Sequence, residues 1–153
     1  MVRKLLKSLK PNSKILYKER EPFLSPKDAE ISITHSFPYA AIAISKNKIG
    51  IDIEKFNPKI LRVIDKFTYK NERSFIPFDA EVVFYTIIWS VKESMYKIHH
   101  SKHWSLKKHY EVKPFELKHL FCISCRFKDD KMSDEYKARV KFFDEYCFTI
   151  VEE

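Results

Sequence analysis

The sequence predicts an α+β fold, with antiparallel strands packed on one long central helix. Two observations carry this. Between about residues 80 and 99, Val83, Phe84, Ile87, Ile88, Val91, Met95 and Ile98 recur at helical spacing and form a broad apolar stripe. Later the period falls to two. Residues 109–117, 120–127, 136–143 and 146–151 read as strands, with turns at Asp129-Asp130-Lys131 and Asp144-Glu145.

Composition bounds the rest. A chain of 153 residues fits one domain with a proper core. Its 44% hydrophobic and 15% aromatic content belongs to a folded protein rather than a disordered one. Residues 1–10 are basic but lack the apolar core of a secretory signal, and no apolar run is long enough to span a bilayer. The expectation is a cytoplasmic protein without a membrane partner. The net charge of +8 suits nucleic acid, a phosphate-rich small molecule or an acidic protein. Three cysteines argue against a disulfide framework.

In chain order, residues 1–10 read as the end of an amphipathic helix, stopped by Pro11-Asn12. Residues 15–17 form a short strand, and the segments 18–22 and 26–28 are charged turns. Ile31-Ser32-Ile33-Thr34 alternates as a strand ending at His35-Ser36, and Phe37-Pro38 turns the chain. Residues 40–54 read as a hairpin closed by Lys46-Asn47-Lys48. Pro58 opens a helix carrying Ile60, Leu61, Ile64 and Phe67; residues 68–75 form a second short helix; and Asp79 caps the long one. Residues 100–105 are a polar loop.

Several groups bear on chemistry. Ile49-Gly50-Ile51-Asp52-Ile53-Glu54 holds the single glycine of the chain, which implies a positive φ or a close backbone approach. On a strand, Asp52 and Glu54 share a face. They are either a solvated polar face or a pair of oxygen ligands for a hard cation such as magnesium. On the long helix, Trp89, Glu93 and Lys97 lie four apart, and Glu93 and Lys97 read as well as an ordinary surface pair. Cys122 and Cys125 have metal-site spacing, but residues three apart on a strand face opposite ways, and a structural role is the better reading. His99, His100 and His103 read as a basic loop. The basic residues are spread along the chain and no nucleic-acid-binding signature is present, so a basic nucleic-acid-binding domain is the least favoured reading and none is expected as partner.

Three features in order carry more than any one alone: Ile33-Thr34-His35-Ser36, the Gly50–Glu54 strand, and Trp89-Ser90-Val91-Lys92-Glu93-Ser94-Met95-Tyr96-Lys97. Together they resemble the Ser-His-Ser element, G-[IV]-D-[IV]-E strand and [WF]-[ST]-x-K-E-[SA]-x-x-K helix of the 4′-phosphopantetheinyl transferase superfamily. The resemblance is to its larger branch rather than to the small trimeric carrier-protein synthases. It implies transfer of the 4′-phosphopantetheine arm of coenzyme A to a serine of an acidic apo acyl or peptidyl carrier protein, in fatty acid or polyketide biosynthesis, with release of 3′,5′-ADP. It implies a magnesium ion held by Asp52, Glu54 and Glu93, with Glu93 also as the base. Lys97 and Lys92 would face coenzyme A phosphates, and His35 and Thr34 its nucleotide end. A degenerate member that binds coenzyme A or a carrier without turnover is the alternative.

The resemblance also implies two pseudo-duplicated α+β halves in a single domain, with residues 1–48 the remnant of an incomplete first half and 49–153 the second. At Arg20-Glu21-Pro22-Phe23-Leu24 an acid stands where the family has a lysine, and Arg20 or Lys18 is expected to supply the lost phosphate contact.

Overall fold

The computed structural model describes residues 1–99 and 105–153. The expected loop at 100–105, with His100 and His103, falls almost wholly outside them.

The first helix, α1 (Val2–Leu9), buries Leu6 and leaves its basic residues outward. Two hairpins follow, β1 (Lys14–Lys18) with β2 (Glu21–Ser25), and β3 (Glu30–Ser36) with β4 (Tyr39–Ser45). The β1–β2 turn is Glu19-Arg20, both at positive φ, inside the expected charged turn. Strand β2 was not expected; Pro22 has no N–H to give to a ladder and hides the strand from a reading of periodicity. Leu6, Ile15, Leu24 and Ile31 form a small core beneath these elements.

Strand β5 (Ile49–Lys55) corrects the expected 40–54 hairpin. It pairs with β9 (Tyr146–Glu152) along its whole length, from Ile49 opposite Glu152 to Lys55 opposite Tyr146, while β4 pairs with β3. A local reading sees only sequence neighbours, whereas the matching seven-residue edge lies at the far end of the chain. The order β5-β9-β8-β7-β6 makes an antiparallel five-stranded sheet with β6 (Tyr110–Val112), β7 (Leu120–Lys128) and β8 (Ser133–Phe143). The expected strand at 109–117 shrinks to β6, preceded by the short helix α5 (Leu106–His109). Pro114 lies just beyond it, where a ladder would need an N–H.

Between β5 and β6 run a 3-10 turn (Pro58–Arg62), α2 (Ile64–Phe67), α3 (Lys70–Arg73), a second 3-10 turn (Phe78–Ala80) holding Asp79, and the long helix α4 (Glu81–His99). Helix α4 lies across β5 and β9, with Ile87, Ile88, Val91 and Met95 fully buried. The observed architecture is therefore α+β with antiparallel sheets and one long packed helix. Cys122 is exposed and Cys125 buried, on opposite faces of β7; these and Cys147 are free thiols, and burial pushes Cys125 and Cys147 up to about 12. Among the described residues, no helix is long and apolar enough to cross a membrane.

Candidate functional site

The site begins at Gly50. Its φ is not positive, so its use is space. A Cβ there would sit 1.8 Å from the carbonyl oxygen of Ser94 on α4. Glycine thus lets the helix backbone rest directly on the strand. Asp52 and Glu54 follow at two-residue spacing and share the Gly50 face, while Ile51 and Ile53 are buried on the other. Glu93 precedes Ser94, and Lys97 lies one turn beyond Glu93. One close contact therefore sets two carboxylates of the strand against a carboxylate and an ammonium of the helix.

The bonds are specific. Lys97 Nζ donates to Asp52 Oδ1 (3.0 Å) and to the Ile51 carbonyl (2.8 Å). Thr34 Oγ1 donates to the same Asp52 Oδ1 at 3.2 Å. Asp52 is 5% exposed, and its Oδ2 is buried without a hydrogen-bond partner among the described residues. Glu54 accepts from Trp89 Nε1 at 3.0 Å. Burial, then the neighbouring Asp52 charge, pushes Glu54 up to about 7 against that bond. Burial and Asp52 also raise Glu93, opposed by Lys97. The three carboxyl groups thus feel one another's charge.

A cleft of about 850 Å³ opens beside this cluster, lined by Arg20, Tyr17, Ser32, His35, Tyr96 and Lys97 among others. Lys97 belongs to both cleft and cluster. Arg20 and His35 are exposed at the cleft wall, as a role in anion binding requires. Two expected residues are not delivered to it. Lys92 is fully buried; its Nζ donates to Glu72 (2.7 Å) and to the Phe67 carbonyl (2.6 Å), and burial lowers it to about 8. One residue of helix is about 100° of rotation, which turns Lys92 into the core when Glu93 faces β5. Thr34 is 4% exposed, with its hydroxyl used by Asp52 and by the Ile53 N–H.

Sequence reasoning missed Glu72, Ser32, Tyr17 and Tyr96. Glu72 is 1% exposed and also accepts from the N–H groups of Tyr69 and Val112, which ties α3 to β6. An acid in a short polar helix carries no signal that it will be buried. Trp89 was visible in the stripe with Glu93 and Lys97; that its indole would hold Glu54 was not.

Asp52, Glu54 and Glu93 are the residues able to hold a divalent cation here. Their donor chemistry fits one: hard oxygen ligands, a buried carboxylate oxygen without a hydrogen-bond partner among the described residues, and two glutamates raised by burial and then by the Asp52 charge. Among the described residues no three such side chains form a closed ligand set, and the Lys97 ammonium supplies the positive charge against Asp52.

An antiparallel sheet crossed by a long helix, with acids and a lysine at their contact and a cleft alongside, places the chain in the α+β class. The model of the 4′-phosphopantetheinyl transferase superfamily matches residues 48–151, more than half of the chain. The chain belongs to that superfamily. It is similar to the 4′-phosphopantetheinyl transferase gsp of Aneurinibacillus migulanus, 31% identical over 93 residues, which is 57% of this chain and 39% of the relative. It is also similar to the 4′-phosphopantetheinyl transferase Sfp of Bacillus subtilis strain 168, 36% identical over 73 residues, 46% of this chain and 33% of the relative. The chain thus spans well under half the length of the relatives it matches.

Proposed function

We propose that this chain transfers the 4′-phosphopantetheine arm of coenzyme A to a serine of an acidic acyl or peptidyl carrier protein. The carrying observation is Asp52 Oδ2, buried and without a hydrogen-bond partner among the described residues, in a group of three carboxyls one side chain away from a cleft lined by Arg20, His35 and Lys97. Asp52, Glu54 and Glu93 would hold a magnesium ion, which supplies charge neutralisation at the pyrophosphate when bound. Arg20 and His35 offer cationic or hydrogen-bonding contacts to the nucleotide phosphates, and Lys97 offers the third of its N–H groups. Glu93, raised by its burial, accepts the proton of the attacking serine hydroxyl, directly or through a water. The serine oxygen forms a bond to the β-phosphorus, the bond from that phosphorus to the bridging oxygen breaks, and 3′,5′-ADP leaves with that oxygen. The net charge of +8 favours encounter with both the polyanionic cofactor and an acidic carrier.

The test is the intact mass of an apo carrier after incubation with this protein, coenzyme A and magnesium. The expected result is a gain of roughly 340 Da, the mass of the transferred arm, that disappears with Glu93→Ala and in a metal-free mixture. An unchanged mass on several carriers, from folded protein that still binds coenzyme A, would replace the transferase reading with that of a binding-only member.

A further inference from the structure

The structure assigns to Thr34 the positioning of Asp52: together with Lys97 it holds one carboxylate oxygen and leaves the other free for a cation. This rests on the divalent-cation reading of the cluster.

The outer edge of β5 is not covered by a regular ladder. The β3–β4 hairpin is a separate sheet, yet β3 lies beside β5. Two side chains join them. Ser32 Oγ accepts from the Ile51 N–H at 3.0 Å, and Thr34 Oγ1 accepts from the Ile53 N–H at 3.1 Å. Both partners advance by two residues, so the strands run the same way, and hydroxyls stand where a parallel ladder would place carbonyls. Ser32 and Thr34 are 3% and 4% exposed, which keeps water from replacing them.

Ser32 and Thr34 differ in what else they do. An amide N–H can only donate, so the Thr34 oxygen is the acceptor in the bond to Ile53 and its own proton is free to go elsewhere. It goes to Asp52 Oδ1. Lys97 donates to the same oxygen. Among the described residues, Oδ1 therefore holds two donors while buried Oδ2 holds none. A carboxylate pinned at one oxygen and bare at the other is oriented as a ligand before any ion arrives. Ser32 makes the equivalent splice to β5, with no bond to Asp52. It is thus an internal control for the cation: loss of Ser32 removes a splice and a cleft-lining hydroxyl that makes no bond to Asp52, and loss of Thr34 removes a splice and the pin.

The experiment is a Mn²⁺ titration of the whole chain, with free Mn²⁺ read by electron paramagnetic resonance, on wild type, Ser32→Ala, Thr34→Val and Thr34→Ser. Thermal melts in parallel show both Ser32→Ala and Thr34→Val lowered, since each leaves a buried N–H without its acceptor. Wild type, Thr34→Ser and Ser32→Ala should bind Mn²⁺ within about twofold of one another, and Thr34→Val about tenfold or more weakly. Thr34→Cys, close in volume and a weak donor, carries the same expectation should Thr34→Val fail to fold. Binding by Thr34→Val or Thr34→Cys as tight as by Ser32→Ala overturns the assignment and leaves the cation reading standing. A wild-type chain that takes up no Mn²⁺ overturns both.

Discussion

Burial, then the neighbouring Asp52 charge, holds both Glu54 and Glu93 above the ordinary glutamate range. Glu54 titrates at about 7 rather than 4.5 because it is buried beside Asp52. Between those values the folded chain binds more protons than the unfolded one. The stability this group contributes is full below 4.5 and is lost as pH rises to about 7. Glu93 acts in the same direction. A cation among the carboxylates removes the repulsion, so magnesium should raise the melting temperature more at about pH 8 than at about pH 5. Equal shifts at the two pH values would separate magnesium binding from these groups. A second residue-scale outcome concerns Glu72. Its replacement by alanine strands the fully buried Lys92 and removes the acceptor of two N–H groups. The expected loss is about 3 to 5 kcal/mol in urea unfolding. A Glu72→Leu/Lys92→Met double variant should recover part of it, because no unpaired charge then remains in the core.

At the scale of elements, the contact of α4 with β5 makes the site. Gly50→Ala inserts a methyl group 1.8 Å from a helix carbonyl, a backbone atom that cannot rotate away. Strand and helix must part, at a cost of about 3 kcal/mol or more by denaturant unfolding. The same displacement draws Asp52 and Glu54 away from Glu93 and Lys97. Magnesium-dependent stabilisation should therefore fall together with overall stability. A Gly50→Ala protein of wild-type stability would show that the helix can lift without strain and that the close approach is incidental.

For the whole molecule, the two cores are unequal. Leu6, Ile15, Leu24 and Ile31 hold the hairpins β1–β2 and β3–β4, whereas the large cluster spans α4 and the five-stranded sheet. Local opening is easiest where little apolar surface is buried. Amides of β1 and β2 should exchange with deuterium well before those of β8 and β9, by about tenfold or more in protection. Exchange at one common rate would mean that the two parts open as one cooperative unit. The cleft lies between these parts, with Arg20 and His35 on the small core and Lys97 on the large one. A ligand that bridges them should slow exchange in the hairpins most.

Local patterns in the sequence determined much of this. The stripe from Val83 to Ile98 specified α4, period-two runs specified β7 to β9, and spacing set Asp52 beside Glu54 and Glu93 beside Lys97, two pairs that only the family resemblance joined. Such patterns are legible because helix and strand impose fixed periods on whichever face is buried. The pairing of β5 with β9 rather than β4 was decided only in three dimensions, because the partner lies at the far end of the chain. The turning of Lys92 into the core onto Glu72 was decided there too, since the spacing that places Glu93 does not say what its neighbour meets. The role of Thr34 followed the same rule. A hydroxyl in a strand has no set partner until another strand is laid beside it, and here that strand brought both the Ile53 N–H and the Asp52 carboxylate.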